Sequence, residues 1–182
     1  MPDESASDRD QLALQQWLQE AYGSAYSSRV RTVEAGRFRV PGWWFFFGSL
    51  EPAPSATFAV ALHEGRVLEG QAGLAEFVRD HDLYHRPDAI ALEKLAGIAM
   101  FFLSRYGAGD AMLIASPRRD GSSWRSEIRK LLHKPRMVPQ DGGYLVEFWY
   151  AQRMLTRVSM RIRLDNEIEC HTQPITDLLP SE

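Results

Sequence analysis

Gly42-Trp43-Trp44-Phe45-Phe46-Phe47-Gly48-Ser49 is the stretch on which the fold turns. Five consecutive aromatics in an extended chain put rings on both faces, so the run predicts a central strand covered on both sides; exposed, it would template aggregation. Upstream, Arg37-Phe38-Arg39-Val40 alternates polar and apolar residues as a strand does, and Pro41-Gly42 makes the turn between the two. Downstream, Pro52 and Pro54 mark a loop. Phe58–Leu62 and Arg66–Leu68 then flank Glu64-Gly65, a hairpin signal of the Asp-Gly kind. Further upstream, Leu14, Trp17, Leu18 and Ala21 fall at helical spacing, with Asp8 or Asp10 available as a cap and Gly23 as a stop, which predicts a helix over Asp10–Tyr22.

After residue 68 the pattern turns helical. A short helix is expected around Leu74–Val78, and a long apolar one from Pro87, suited to a first helical turn, to Tyr106, with Gly107 behind it. Met112–Ala115 reads as a short strand. Trp124, Ile128, Leu131 and Leu132 read as a helix that Pro135 ends, with Arg125 and Arg129 off its apolar stripe. Three strands follow, Tyr144–Ala151, Thr156–Leu164 and Ile168–Thr172. The expected fold class is therefore α+β: one curved, mainly antiparallel sheet of six or seven strands packed on the Pro87–Tyr106 helix. Residues 1–9 read as a frayed start, 10–176 as a single domain and 177–182 as a tail.

The last hairpin allows its register to be argued. Val158, Met160, Ile162 and Leu164 alternate with Arg157, Ser159, Arg161 and Arg163, while Ile168 and Cys170 alternate with Glu167, Glu169 and His171. The apolar sets must share a face. A loop of Asp165, Asn166 and Glu167 achieves this, with Leu164 opposite Ile168 and Ile162 opposite Cys170. On the outer face it sets Arg163 against Glu169 and Arg161 against His171, and the same parity lays Trp149 beside Arg157.

Composition bounds the function. The chain has 182 residues, 45% of them hydrophobic and 25% charged, which excludes a disordered or collagenous protein. A single cysteine, Cys170, rules out an internal disulfide framework and favours a reducing compartment. The acidic N-terminus lacks the features of a secretory signal, and the best apolar run, Leu95–Leu103, falls well short of the ~20 residues that span a bilayer. A cytoplasmic protein with no membrane partner is expected. Charge is segregated: residues 1–104 carry 9 basic and 14 acidic side chains, 105–163 carry 12 and 5, and 164–182 carry none and 5. The cations are mostly arginine, whose planar fork suits carboxylate or phosphate.

No GxSxG, GxGxxG or GxxxxGK[ST] pattern occurs, which leaves serine-hydrolase and nucleotide-fold readings unsupported. His81 and His85 have the four-residue spacing of two metal ligands on a helix, but Asp82 replaces the glutamate of the zinc-protease motif, and Arg86-Pro87 suits a loop better. Cys170 and His171, as neighbours on a strand, point to opposite faces and cannot form a dyad. No metal or cofactor is expected, and no catalytic residue is assigned. The candidate binding surface comprises Trp149, Arg157, Arg161, Arg163, His171, Arg125 and Arg129, a set that suits an acidic protein partner or, second, nucleic acid.

Across residues 42–67, the aromatic strand, the apolar strand Phe58-Ala59-Val60-Ala61-Leu62 and the Glu64-Gly65 hairpin resemble small bacterial immunity proteins of polymorphic toxin systems. The resemblance implies a cytoplasmic protein that neutralises a toxin by binding it. The other reading of an aromatic-rich sheet with helices is a cystatin-like or nuclear-transport-factor-like cavity that binds or transforms a small apolar ligand.

Overall fold

The computed structural model describes residues 8–24, 29–50, 53–104, 111–117, 126–152 and 154–175. Tyr106, Gly107, Trp124 and Arg125 lie outside them. Its contacts divide the chain into two compact units, Met1–Gly73 with Phe101–Gly109, and Leu74–Met100 with Asp110–Glu182.

The first unit holds helix α1 (Asp8–Tyr22) and a four-stranded antiparallel sheet of β1 (Val30–Glu34), β2 (Trp44–Leu50), β3 (Ala53–His63) and β4 (Arg66–Leu68), in the order β1-β2-β3-β4. The aromatic run is β2, an inner strand as its residues require. Its register sets Trp44, Phe46 and Gly48 against Leu62, Val60 and Phe58 on one face, where Leu14 and Leu18 of α1 close a core. On the other face Phe45 and Phe47 lie opposite Ala61 and Ala59, whose small side chains leave room for rings. Phe38 and Phe101 fill that space, in ring contact with both Phe45 and Phe47. Gly48 has a packing reason too. A Cβ there would stand 2.0 Å from the Phe58 ring, which folds across the glycine to meet Trp17 and Tyr22.

Arg37–Val40 is not the strand that its alternation suggests. Gly36–Phe38 winds a 3-10 turn that drops Phe38 into the ring cluster, Val40 makes a single bridge to Trp43, and the neighbour of β2 is the earlier Val30–Glu34. The Glu64-Gly65 turn is as expected, with φ of 51° and 73°, the left-handed pair of a type I′ turn. Asp10 acts differently from a helix cap. The helix begins two residues before it, and the buried Asp10 carboxylate accepts a 2.7 Å hydrogen bond from the Gly65 amide. Asp10→Ala should therefore destabilise by about 1–3 kcal/mol, the penalty for a buried donor left unmet. Asp10→Asn, which keeps an acceptor, should recover most of that loss in urea unfolding, and equal losses from both variants would deny the bond its role.

Helix α2 (Gly70–Asp80) is longer at both ends than the segment read from the sequence. Helix α3 covers Leu92–Leu103, so it starts five residues after Pro87, with residues 87–90 spent in turn and bend. Its 12 residues make it shorter than the expected spine, though residues 95–102 are buried as that expectation required. Gly73 lets it close on α2, because a Cβ there would stand 2.6 Å from the Phe102 ring.

Besides most of α2 and α3, the second unit holds a five-stranded antiparallel sheet and a further helix. The strands are β5 (Met112–Leu113), β6 (Arg136–Gln140), β7 (Gly143–Ala151), β8 (Leu155–Arg163) and β9 (Ile168–Ile175); the helix, α4, is Ser126–Leu131. Along one edge of β7 lie β5 and β6; β8 and β9 follow on the other. The described residues thus carry two sheets where one was expected. Val146, Phe148, Val158, Met160 and Ile162 are buried, so β8 turns its apolar positions inward as its alternation predicts.

The last hairpin keeps the expected parity but is offset by two residues. Ile162 faces Ile168, Met160 faces Cys170, Arg161 faces Glu169 and Ser159 faces His171. The three-residue loop is Leu164-Asp165-Asn166, closed by the Arg163 amide donating to the Glu167 carbonyl at 2.8 Å. Asp165 and Asn166 adopt φ of 67° and 58°, and the buried Asn166 accepts from the Tyr84 amide while donating to Asp82. That tie selects the offset.

Candidate functional site

Along β7 and β8 the positions opposite the apolar set form a second face. Register places Arg136 against Glu147 and Glu147 against Ser159, then Ser159 against His171; one step along, Trp149 lies against Arg157 as parity predicts, and Leu145 lies between Val138 and Arg161.

One end of this face is covered by α4. Ile128 and Leu132 pack with Ile114, Trp149 and Leu155, and Ala151 and Ile175 border the cluster. Trp149 is 4% exposed, which corrects its assignment to the binding surface; His133 meets its ring edge-on. Its Nε1 and the neighbouring Arg157 Nε are buried without a hydrogen-bond partner.

Next along the face, Glu147 is held between two arginines from the flanking strands. Arg136 reaches its Oε2 through Nε at 2.8 Å and through Nη2 at 2.5 Å, and Arg157 Nη2 donates to Oε1. Both carboxylate oxygens are thus used, and the side chain is only 5% exposed. Burial by itself would raise the Glu147 pKa, but the hydrogen bonds from Arg157 and Arg136, with the charges of both guanidiniums, hold the carboxyl below its ordinary value.

Beyond the clamp the face is open. Arg161 is exposed, and its Nη2 donates to the neutral Gln140 Oε1 at 2.9 Å. Arg163 pairs with Glu169 at 2.7 Å, both side chains nearly half in water, as the sequence expected for this pair although the two are diagonal rather than opposite. His171 is exposed on the same face. Among the described strand residues of this face four arginines thus meet two glutamates, a positive surplus on the strands themselves. Asp141, Asp165 and Glu167 sit in the turns at its hairpin end.

Arg129 is exposed on α4 rather than on the sheet. It lines an open groove of about 810 Å³ with Ser116, Pro117, Ser126, Lys130, Leu132 and Lys134. Arg125 lies outside the described residues. The sequence reading overlooked Glu147 and Gln140, yet the parity that lays Trp149 beside Arg157 also puts Glu147 on that face. Gln140 was hidden because Pro139 disguises β6, an edge strand that tolerates proline.

Other candidate chemistry resolves plainly. His81 and His85 lie in a turn, not on one helical face; His81 Nδ1 donates to the Phe77 carbonyl at 3.0 Å, and His85 Nδ1 lies 2.8 Å from Asp82 Oδ1. Among the described residues no three potential metal ligands converge. Cys170 is half-buried beside Met160, burial pushes its thiol pKa up to about 12, and His171 points to the opposite face. At neutral pH that thiol is not a nucleophile. No helix among the described residues is long and apolar enough to cross a membrane.

No family model, curated protein or solved structure matches the chain.

Proposed function

We propose that this chain is a non-catalytic, cytoplasmic binding protein that engages an acidic protein partner through the open end of the arginine face. The observation that carries the reading is the disposition of charge. Glu147 is consumed by Arg136 and Arg157, Glu169 is ion-paired with Arg163, and exposed Arg161, although cross-strand from Glu169, gives its side-chain hydrogen bond to the neutral Gln140 amide. The Arg161 donors that no carboxylate takes, presented on an ordered sheet face, can grip an anionic group of a partner and orient it, which adds specificity. Val138 adds an exposed apolar side chain in the same row.

Toxin neutralisation is the form of this reading that the sequence resemblance over residues 42–67, the stretch holding β2, β3 and most of β4, implies. The cavity-fold alternative draws less support. Its pocket needs aromatics turned toward a ligand, and here Trp43 is stacked on His63 at 4.3 Å, while Phe45 and Phe47 are in ring contact with Phe38 and Phe101.

Reversing Arg161 and Arg163 to glutamate tests the surface. Association with a partner captured by the wild-type protein should slow and lose its salt dependence, while thermal stability stays within roughly 1 kcal/mol because exposed pairs contribute little. Unchanged binding rules the face out. If the captured partner is nucleic acid instead, affinity falls with salt at a slope near -0.9 per phosphate contacted on duplex DNA.

A further inference from the structure

We infer that the groove lined by α4, the residues just past it and Ser116-Pro117 is a binding site for the phosphate groups of a small organic phosphate. This goes beyond the protein-binding reading and uses none of the sheet arginines. Among the described residues seven line the groove, and three of them, Arg129, Lys130 and Lys134, are cations while none is acidic. The contrast with the sheet face is informative. There Arg136, Arg157 and Arg163 all have carboxylate partners, whereas none of the three groove cations takes part in an ion pair among the described residues.

Packing does not explain the cluster. The contacts of α4 with the sheet are made by Ile128 and, just past its end, Leu132, while Arg129, Lys130 and Lys134 are exposed. Like charges gathered in one groove repel one another, and an anion that enters it relieves that repulsion. The donor set narrows the class of anion. A guanidinium fork takes two oxygens at once, and two ammonium groups act as point charges around it. A lone carboxylate offers two oxygens and a single charge; a diphosphate brings several oxygens and enough charge to answer all three cations. The volume, about 810 Å³, falls in the range of small-molecule sites and far exceeds one phosphate. Pro117 and Leu132 supply apolar contact for the rest of the ligand.

Titration calorimetry on the full chain, with inorganic pyrophosphate and ATP as probes at about 150 mM ionic strength, tests this because surface attraction is largely screened there. Both probes should bind saturably at one site, and R129Q/K134Q should weaken them at least about tenfold. R79Q/R86Q removes the same net charge from exposed positions elsewhere and should change affinity by less than about twofold. Amide chemical shifts of the wild-type protein give a second measure that needs no variant. Pyrophosphate should move the amides of Ser116, Ser126, Arg129 and Lys130. Shifts confined elsewhere, unsaturable binding, or equal weakening by the two double variants would overturn the site. A short DNA duplex that displaces pyrophosphate where ATP does not would reassign the groove to nucleic acid, against the small-ligand proposal.

Discussion

Replacing Phe45 with alanine should remove about 3–5 kcal/mol of folding stability, the range for deleting a buried aromatic from a core that cannot collapse around the gap. Phe45 is 1% exposed, and among the rings around it are Trp43, Phe38, Phe101 and Phe102, at centroid distances of 6.3, 6.1, 5.2 and 6.0 Å. Its partners across the strands do not relieve the loss, because Ala61 opposite it is already small. Phe47→Ala should lose less, since Phe47 is only half-buried and has two of those rings as neighbours. Phe45→Leu, which keeps most of the volume, should fall between wild type and Phe45→Ala. Urea unfolding monitored by circular dichroism gives the order. A loss below about 1 kcal/mol for Phe45→Ala would mean that the ring cluster is loosely packed.

That cluster also shows what was legible in the sequence. Five aromatics in a row constrain both faces of a strand, so the run located β2, and the positive φ demanded by Glu64-Gly65 located the next hairpin. Strand β1 gives no such signal. It lies at the sheet edge, where Arg31, Thr32, Val33 and Glu34 are all exposed, Val33 at 65%, so burial imposes no alternation on it. Pro87 suggested a helix start, but the chain turns first, and the hydrogen bond from the Leu95 amide to the Ala91 carbonyl opens the helix one turn later. In the last hairpin, burial fixes parity, and parity alone was readable. The offset depends on Asn166 meeting Tyr84 and Asp82, residues more than 80 positions away, which no local pattern encodes. The site divides in the same way: the outward arginines of β8 follow from alternation, whereas the burial of Trp149 follows from α4, which covers it.

R136M/R157M should destabilise the protein by about 3 kcal/mol at neutral pH, because it strands the Glu147 carboxylate without a partner. The figure is at the low end for a buried pair, since the guanidiniums are themselves 51% and 38% exposed and water reaches the clamp from their side. Methionine keeps much of each arginine stem, so lost packing contributes little. The pH dependence separates charge from packing. In the wild type, the folded-state pKa of Glu147 lies below its unfolded value, so its contribution is fully present above about pH 4.3 and is lost as pH falls through the lower, folded value. In R136M/R157M only burial remains, which raises the folded pKa; the penalty is then greatest at neutral pH and shrinks as the carboxyl takes up a proton. The two stability curves should converge in acid. Adding Glu147→Met to the pair should restore most of the stability at neutral pH, because an apolar triad of similar volume has no charge to desolvate. A deficit that is independent of pH and survives in the triple variant would assign the loss to the arginine stems rather than to the clamp.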